Sequence, residues 1–312
     1  MNSELYEMRD PRFARLIHRD AGLRRIATGF EWVEGPVWFP AFRMLLFSDI
    51  PSQRMMRWTP DGTCAVFRDP SGYSNGNTRD PQGRLLTCQH GTRSVTRTEA
   101  DGTVVTLASE SGGKRLNSPN DLVVKSDGSI WFTDPTYGID SDLEGYAARP
   151  EQPGSHVYRI PPGGGKAVPV ITGFVQPNGL AFSPDESLLY VAESGGSHDS
   201  SAPPVIRVFP VVGDSLGPER EFARIEDGRP DGIRCDANGN LWSSARDGVS
   251  VFAPDGTLLG KILVPETVSN LCFGGERGIR LFITATTSVY MIAVNARAAG
   301  WPAPASNRRG NG

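Results

Sequence analysis

No apolar run in this 312-residue sequence approaches the roughly 18 residues of a membrane span. The N-terminus, "MNSELYEMRDPRFARLIHRDAGLRR", carries charges throughout and has no apolar h-region, so it is not expected to act as a secretory signal. The expectation is a cytoplasmic protein with no membrane partner. The net charge is only -3 and no long basic stretch occurs, so nucleic acid is not an expected partner. Cysteine is scarce. Cys64, Cys88, Cys235 and Cys272 form no CxxC pair, and a chain this long needs no disulfide staples, so all four are expected to be buried thiols.

Turn residues are abundant instead: 36 glycines and 25 prolines favour many short elements joined by turns, hence an all-β fold. "SPNDLVVKSDGSIWFTD" (118–134) and "QPNGLAFSPDESLLYVAE" (176–193) share one frame: an Asn, an apolar run, a turn seven residues on, and a second apolar strand. The same frame fits "EGPVWFPAFRMLLFSD", "SNGNTRDPQGRLLTCQ", "PDGIRCDANGNLWSSA" and "SNLCFGGERGIRLFITA". Six repeats result, led by Glu34, Asn75, Asn120, Asn178, Asp231 and Asn270, at spacings of 39 to 58 residues. Each unit continues into a second hairpin, such as "MMRWTPDGTCAVF". A period of this length with four strands per unit predicts a six-bladed β-propeller with four-stranded blades. The sixth unit lacks an outer strand, and "LRRIATGFEW" (23–32) is expected to supply it and close the ring. The chain then divides into an N-terminal arm (1–22), a propeller (23–296) and a C-terminal tail (297–312). Residues 1–15 show no repeat strand and are expected to be dispensable. Insertions at 137–155 and 194–204 are expected to be loops that rim a pocket.

The innermost strand of each blade lines a propeller's channel, so the six leading residues should converge on its axis. All six carry a side-chain oxygen and none is His or Cys, a donor set suited to a hard cation. One Glu and one Asp balance a divalent charge. Capping of strand entrances explains any single Asn, but it is a weak account of six in frame.

"WVEGPVW", "NSPNDLVVKSDGSIWFTDPTYG", "PNGLAFSPDESLLYV" and "PDGIRCDANGNLW" resemble the senescence marker protein / gluconolactonase / luciferin-regenerating enzyme family, over roughly residues 25 to 295. The resemblance implies one divalent metal in the channel and hydrolysis of small lactones. It makes Glu34, Asn178 and Asp231 metal ligands, with Asp231 also the proton-transfer residue, and brings Asn120 to the metal or the substrate. Calcium is the first expectation, with zinc or magnesium as alternatives. Animal relatives place an Arg two residues before the Asn of N-D, where this chain has Ser118. They also use a Glu on the third-blade loop, for which Glu151 is the candidate.

His90, Tyr137 and Asp134 are further candidates for substrate contact; a hydrogen-bonded structural His, loop packing and turn capping are their respective alternatives. "GYSNG" (72–76) satisfies G-x-S-x-G, but Ser74 precedes a channel strand rather than a nucleophile elbow. The expected reaction is attack of water on a carbonyl polarised by the cation, with Asp231 either accepting the proton or only orienting the nucleophile. Hydrolysis of organophosphates or other esters at the same site, and a non-catalytic binding propeller, are the competing readings.

Overall fold

The computed structural model describes residues 4–18 and 20–300. It is a six-bladed propeller of antiparallel four-stranded sheets, with one helical turn at Tyr137–Asp140 and two short 3-10 turns. Blade 1 runs from the channel outward as Val33–Phe39, Met44–Asp49, Arg54–Trp58 and Cys64–Arg68. The innermost strands of blades 2 to 6 are Ser74–Arg79, Leu122–Val124, Pro177–Phe182, Ile233–Cys235 and Val268–Gly274. Blade 6 takes its outer strand, Arg24–Thr28, from the N-terminus, where it pairs with Ser288–Ala293 in antiparallel register. First and last blades are thereby joined by sheet hydrogen bonds rather than left as two edges.

The arm departs from expectation. Tyr6–Met8 adds a fifth strand to blade 5, pairing Tyr6 with Ile262 and Met8 with Gly260. The 3-10 turn Pro11–Arg15 follows, capped by Asp10, and drives Phe13 to complete burial in the cluster between blades 5 and 6. A three-residue strand is too short for period-2 patterning to reveal. Of the tail expected at 297–312, residues 301–312 lie outside the described residues. Cys88, Cys235 and Cys272 are buried free thiols, whereas Cys64 is exposed because it lies on the solvent-facing outer strand of blade 1. Among the described residues no helix is long and apolar enough to cross a membrane.

Close packing at the axis explains two features of the repeat. The inner-strand register is irregular at the leading residue in four blades: between Glu34 and Val37, Ser74 and Asn77, Pro177 and Leu180, and Val268 and Asn270. Such bulges bend a strand and re-aim a side chain, so an Asn or Glu enters the channel from a strand that would otherwise reject it. Glycine follows the leading residue in four repeats because neighbouring inner strands nearly touch. A Cβ on Gly179 would lie 2.2 Å from the Asp231 carbonyl, and one on Gly232 would lie 2.0 Å from the Asn270 side chain.

Candidate active site

Five of the six leading residues, Glu34, Asn75, Asn120, Asn178 and Asp231, line one cavity of about 340 Å³ at the channel mouth. Tyr137, Glu144, Ser194 and Ser197, from the two insertions, complete it with the apolar side chains of Trp32, Ile50 and Val268. The insertions lean on each other: the Tyr137 hydroxyl lies 3.3 Å from Ser197 Oγ, and Asp140 Oδ2 lies 2.7 Å from His198 Nε2. Burial pushes the Tyr137 hydroxyl above its ordinary pKa.

Asn270, the sixth leading residue, does not line this cavity. Its Nδ2 donates to Glu34 Oε2 at 2.9 Å, and the Gly35 N–H donates to the same oxygen at 2.5 Å. One Glu34 oxygen is therefore held from behind. Asn270 Nδ2 also lies 3.5 Å from Asp121 Oδ2, which accepts from Arg234 Nη1 at 3.2 Å. Buried Asp121 and half-buried Arg234 form an ion pair beside the carboxylates, and neither stands at a leading position of the repeat. The signal for Asp121 was available: in "PND" it stands where four other repeats have glycine.

The carboxylates sit in an unfavourable field. Burial pushes Glu34 up to about 8, and the Asp121 charge adds to this, while the hydrogen bonds from Asn270 and Gly35 oppose it. Asp231 is raised well above the ordinary carboxylate value by burial, then by Glu34, Asp121 and Glu144; the Asn178 side chain hydrogen-bonds it and pulls the other way. Glu144 is itself raised to about 7 by burial and by Asp140. Like charges crowded away from water favour the protonated forms, and a cation between them would reverse that.

His90 is fully buried and stands behind Asn75 rather than in the cavity wall. Its Nδ1 lies 3.0 Å from the Glu144 carbonyl, so Nδ1 carries the hydrogen. Burial lowers the ring's pKa to about 4, so it is neutral and Nε2 accepts from Asn75 Nδ2 at 3.1 Å. Asn75 Oδ1 is left buried with no hydrogen-bond partner among the described residues. Asp134 is also fully buried and outside the cavity: its Oδ2 accepts from the Asn117 N–H at 2.8 Å, which pins the entrance of blade 3. Ser118 donates to the Pro135 carbonyl and accepts from the Gly138 N–H, so it anchors the turn bearing Tyr137. Glu151 accepts from the Arg115 N–H and pairs with Arg93 away from the channel. Glu144, in the same insertion, is the glutamate that reaches the cavity; no repeat pattern marks it. Ser74 is buried and accepts from Ser48 Oγ at 3.0 Å.

The donor set fits a hard divalent cation. No cluster of three or more His, Cys, Asp or Glu able to hold a metal occurs among the described residues. A cation here would therefore rest on Glu34 and Asp231 with amide oxygens from the Asn side chains, which is oxygen chemistry of the calcium and magnesium type. The orphaned Asn75 oxygen fits the same account, since a buried acceptor without a partner is costly.

The chain is similar to a gluconolactonase of Zymomonas mobilis, 35% identical over 90% of this chain and 84% of that protein. A solved gluconolactonase structure from Xanthomonas campestris is 41% identical with a TM-score of 0.87, covering 93% of this chain and 94% of the other. Regucalcin from Agrobacterium tumefaciens shares the fold, with a TM-score of 0.72 at 18% identity over 89% of this chain and 96% of the other. The SMP-30/Gluconolactonase/LRE-like region matches residues 32–287, and the chain belongs to that family.

Proposed function

We propose a metal-assisted route for the lactone hydrolysis that this chain carries out. The observation that carries it is the pairing of two carboxylates, buried Glu34 and half-buried Asp231, with amide oxygens in one cavity. Activity as a lactone hydrolase rests on similarity to gluconolactonases over most of the chain. Glu34, Asn178 and Asp231 would hold the cation, with Asn120 at its edge; calcium is favoured, with zinc or magnesium as alternatives. A bound divalent cation supplies Lewis-acid polarisation of the lactone carbonyl and offsets the charge of the tetrahedral centre.

The chain's own residues do the rest. Trp32, Ile50 and Val268 offer an apolar wall to a small ring, and the buried, unpartnered Asn75 Oδ1 would join the oxygen set. Water adds to the carbonyl carbon as Asp231 takes its proton. The ring C–O bond then breaks, and Asp231 returns the proton to the departing alkoxide. The Tyr137 and Ser197 hydroxyls meet at the cavity rim and narrow its entrance. Kinetics on a panel of aldonolactones, with and without chelator, test the reading. Hydrolysis that is lost on chelation and restored by one divalent ion supports it; full activity in chelator overturns the metal role.

A further inference from the structure

A larger cavity, of about 530 Å³, lies at the seam where the ring closes, between blades 6 and 1. The inner strand of blade 1 has Glu34 near its start, at the channel mouth, and Phe39 at its end. The turns that follow inner strands, at 40–43 and 275–279, therefore lie on the face opposite the mouth, and both border this cavity. Its floor is Trp38, Trp58 and Phe282; Trp38 stacks on Phe282 at 5.2 Å with the ring planes 11° apart, which makes a rigid apolar base. Both indole N–H groups are buried and find no acceptor among the described residues.

The rim is basic. Arg24, Arg25, Arg43, Arg277 and Arg280 line the cavity against only two acids, Asp61 and Glu276. Glu276 is taken by Arg43 in a 2.5 Å pair that bridges the two blades. Asp61 accepts from the Thr59 hydroxyl and the Thr63 N–H of its own turn. Arg24, Arg25, Arg277 and Arg280 have no ion-pair partner among the described residues, and they come from two segments, the closing strand and the 277–280 turn. Arg24, which pairs opposite the cavity residue Met291, and Arg277 and Arg280 set solvent-exposed positive charge around an apolar floor, a local field that attracts an anion.

We propose that this cavity is a second ligand site, distinct from the channel, that binds a phosphate monoester of sugar size. The volume suits one small metabolite. Guanidinium groups take phosphate oxygens in bidentate geometry. The aromatic floor of Trp38, Trp58 and Phe282 offers an apolar surface to the carbon face of a sugar ring.

The test is calorimetric titration of the full chain with glucose 6-phosphate, inorganic phosphate, AMP and glucose. The expected result is 1:1 binding of glucose 6-phosphate, at least tenfold tighter than inorganic phosphate, AMP or glucose. Binding should weaken at least tenfold in Arg24→Ala/Arg280→Ala and in Arg277→Ala/Arg280→Ala. These arginines are exposed, so both variants should keep the parent's thermal melt and lactone hydrolysis. Asp231→Asn, in the channel, should leave the binding intact. Three outcomes overturn the proposal: no saturable binding, inorganic phosphate or AMP matching the sugar phosphate, or binding lost in Asp231→Asn while the arginine variants keep it.

Discussion

Asn75 donates its amide to His90 Nε2 at 3.1 Å, and this one bond decides which end of Asn75 faces the channel. The direction is set from behind: the Glu144 carbonyl, 3.0 Å from Nδ1, can only accept, so the ring's hydrogen lies there and Nε2 is the acceptor. The histidine thus acts through the asparagine: it takes the amide and leaves Asn75 Oδ1 buried without a partner among the described residues, while staying buried itself.

His90→Gln should keep this arrangement, because a glutamine amide can donate to the Glu144 carbonyl and accept from Asn75. His90→Ala removes it and frees the Asn75 amide to rotate. The expected loss of lactonase kcat/KM in His90→Ala is on the order of tenfold to a hundredfold, the scale of a misplaced contact group. Steady-state kinetics check it; equal activity in the alanine variant and the parent would show that the Asn75 orientation does not matter.

The same residue makes the fold acid-sensitive. Buried His90 has its pKa lowered from 6.5 to about 4, so the folded chain binds fewer protons than the unfolded one in that window. Its contribution is complete above pH 6.5 and is lost as the pH falls toward 4, by up to about 3 kcal/mol. Urea unfolding at pH 7.0 and 4.5 should therefore show a smaller acid loss in His90→Gln than in the parent. An identical loss in both would assign the sensitivity elsewhere.

Beneath the channel, Arg234 and Asp121 balance each other at 3.2 Å. Arg234→Met leaves Asp121 unpaired beside Glu34 and should cost on the order of 3 kcal/mol. Adding Asp121→Asn should recover most of that, because the stranded charge is removed. Chemical denaturation of the single and double variants measures both, and equal stabilities for the single variant and the parent would dismiss the pair's structural role.

Much of this architecture is written in the repeat. The frame of leading oxygen, apolar run and turn yields the six blades, the ring closure by Arg24–Thr28 and five of the residues lining the cavity. It works because six equivalent positions obey one geometry, and bulges at those positions satisfy what strand propensity would forbid. What escapes is everything without a repeat. Glu144 sits in an insertion, Arg234 is a single charge on a three-residue strand, and Asp121 shows only as an absent glycine. His90 and Asp134 are read from sequence as substrate contacts, yet a polar residue at a strand end serves a channel or a neighbouring backbone equally well, and only packing decides. The strand at Tyr6–Met8 is too brief for periodicity, although Phe13 behind it is fully buried.

That arm yields a stability prediction. Phe13→Ala should destabilise the fold by about 3–5 kcal/mol, the usual cost of deleting a fully buried aromatic side chain. Removal of residues 1–15 should cost at least as much, since it also strips the fifth strand from blade 5. Removal of residues 1–32 should expose the edge of blade 6 and promote aggregation. Thermal melts and light scattering read these outcomes; a soluble, fully stable chain starting at residue 33 would contradict the ring closure.

Asp231 is where catalysis and cation binding can be separated. Asp231→Asn keeps the size and one oxygen donor but removes a charge and the proton acceptor. The channel carboxylates crowd one another, so losing one should also relieve Glu34, and the variant should fold at least as well as the parent. Lactone hydrolysis should nonetheless fall by a factor on the order of 10² or more, as when a general acid–base group is lost. Part of that fall can come from weaker cation binding, so the assay is repeated at saturating metal with occupancy measured by elemental analysis. Asn270→Ala is the contrast. It removes the hydrogen bond behind Glu34 without touching the cavity wall, so it should cost much less, and its loss should fall mainly on metal affinity. If Asp231→Asn hydrolyses lactones at the parent rate with metal bound, Asp231 holds the cation and some other group takes the proton; Glu144, held near pKa 7 in the same cavity, is then the residue to replace.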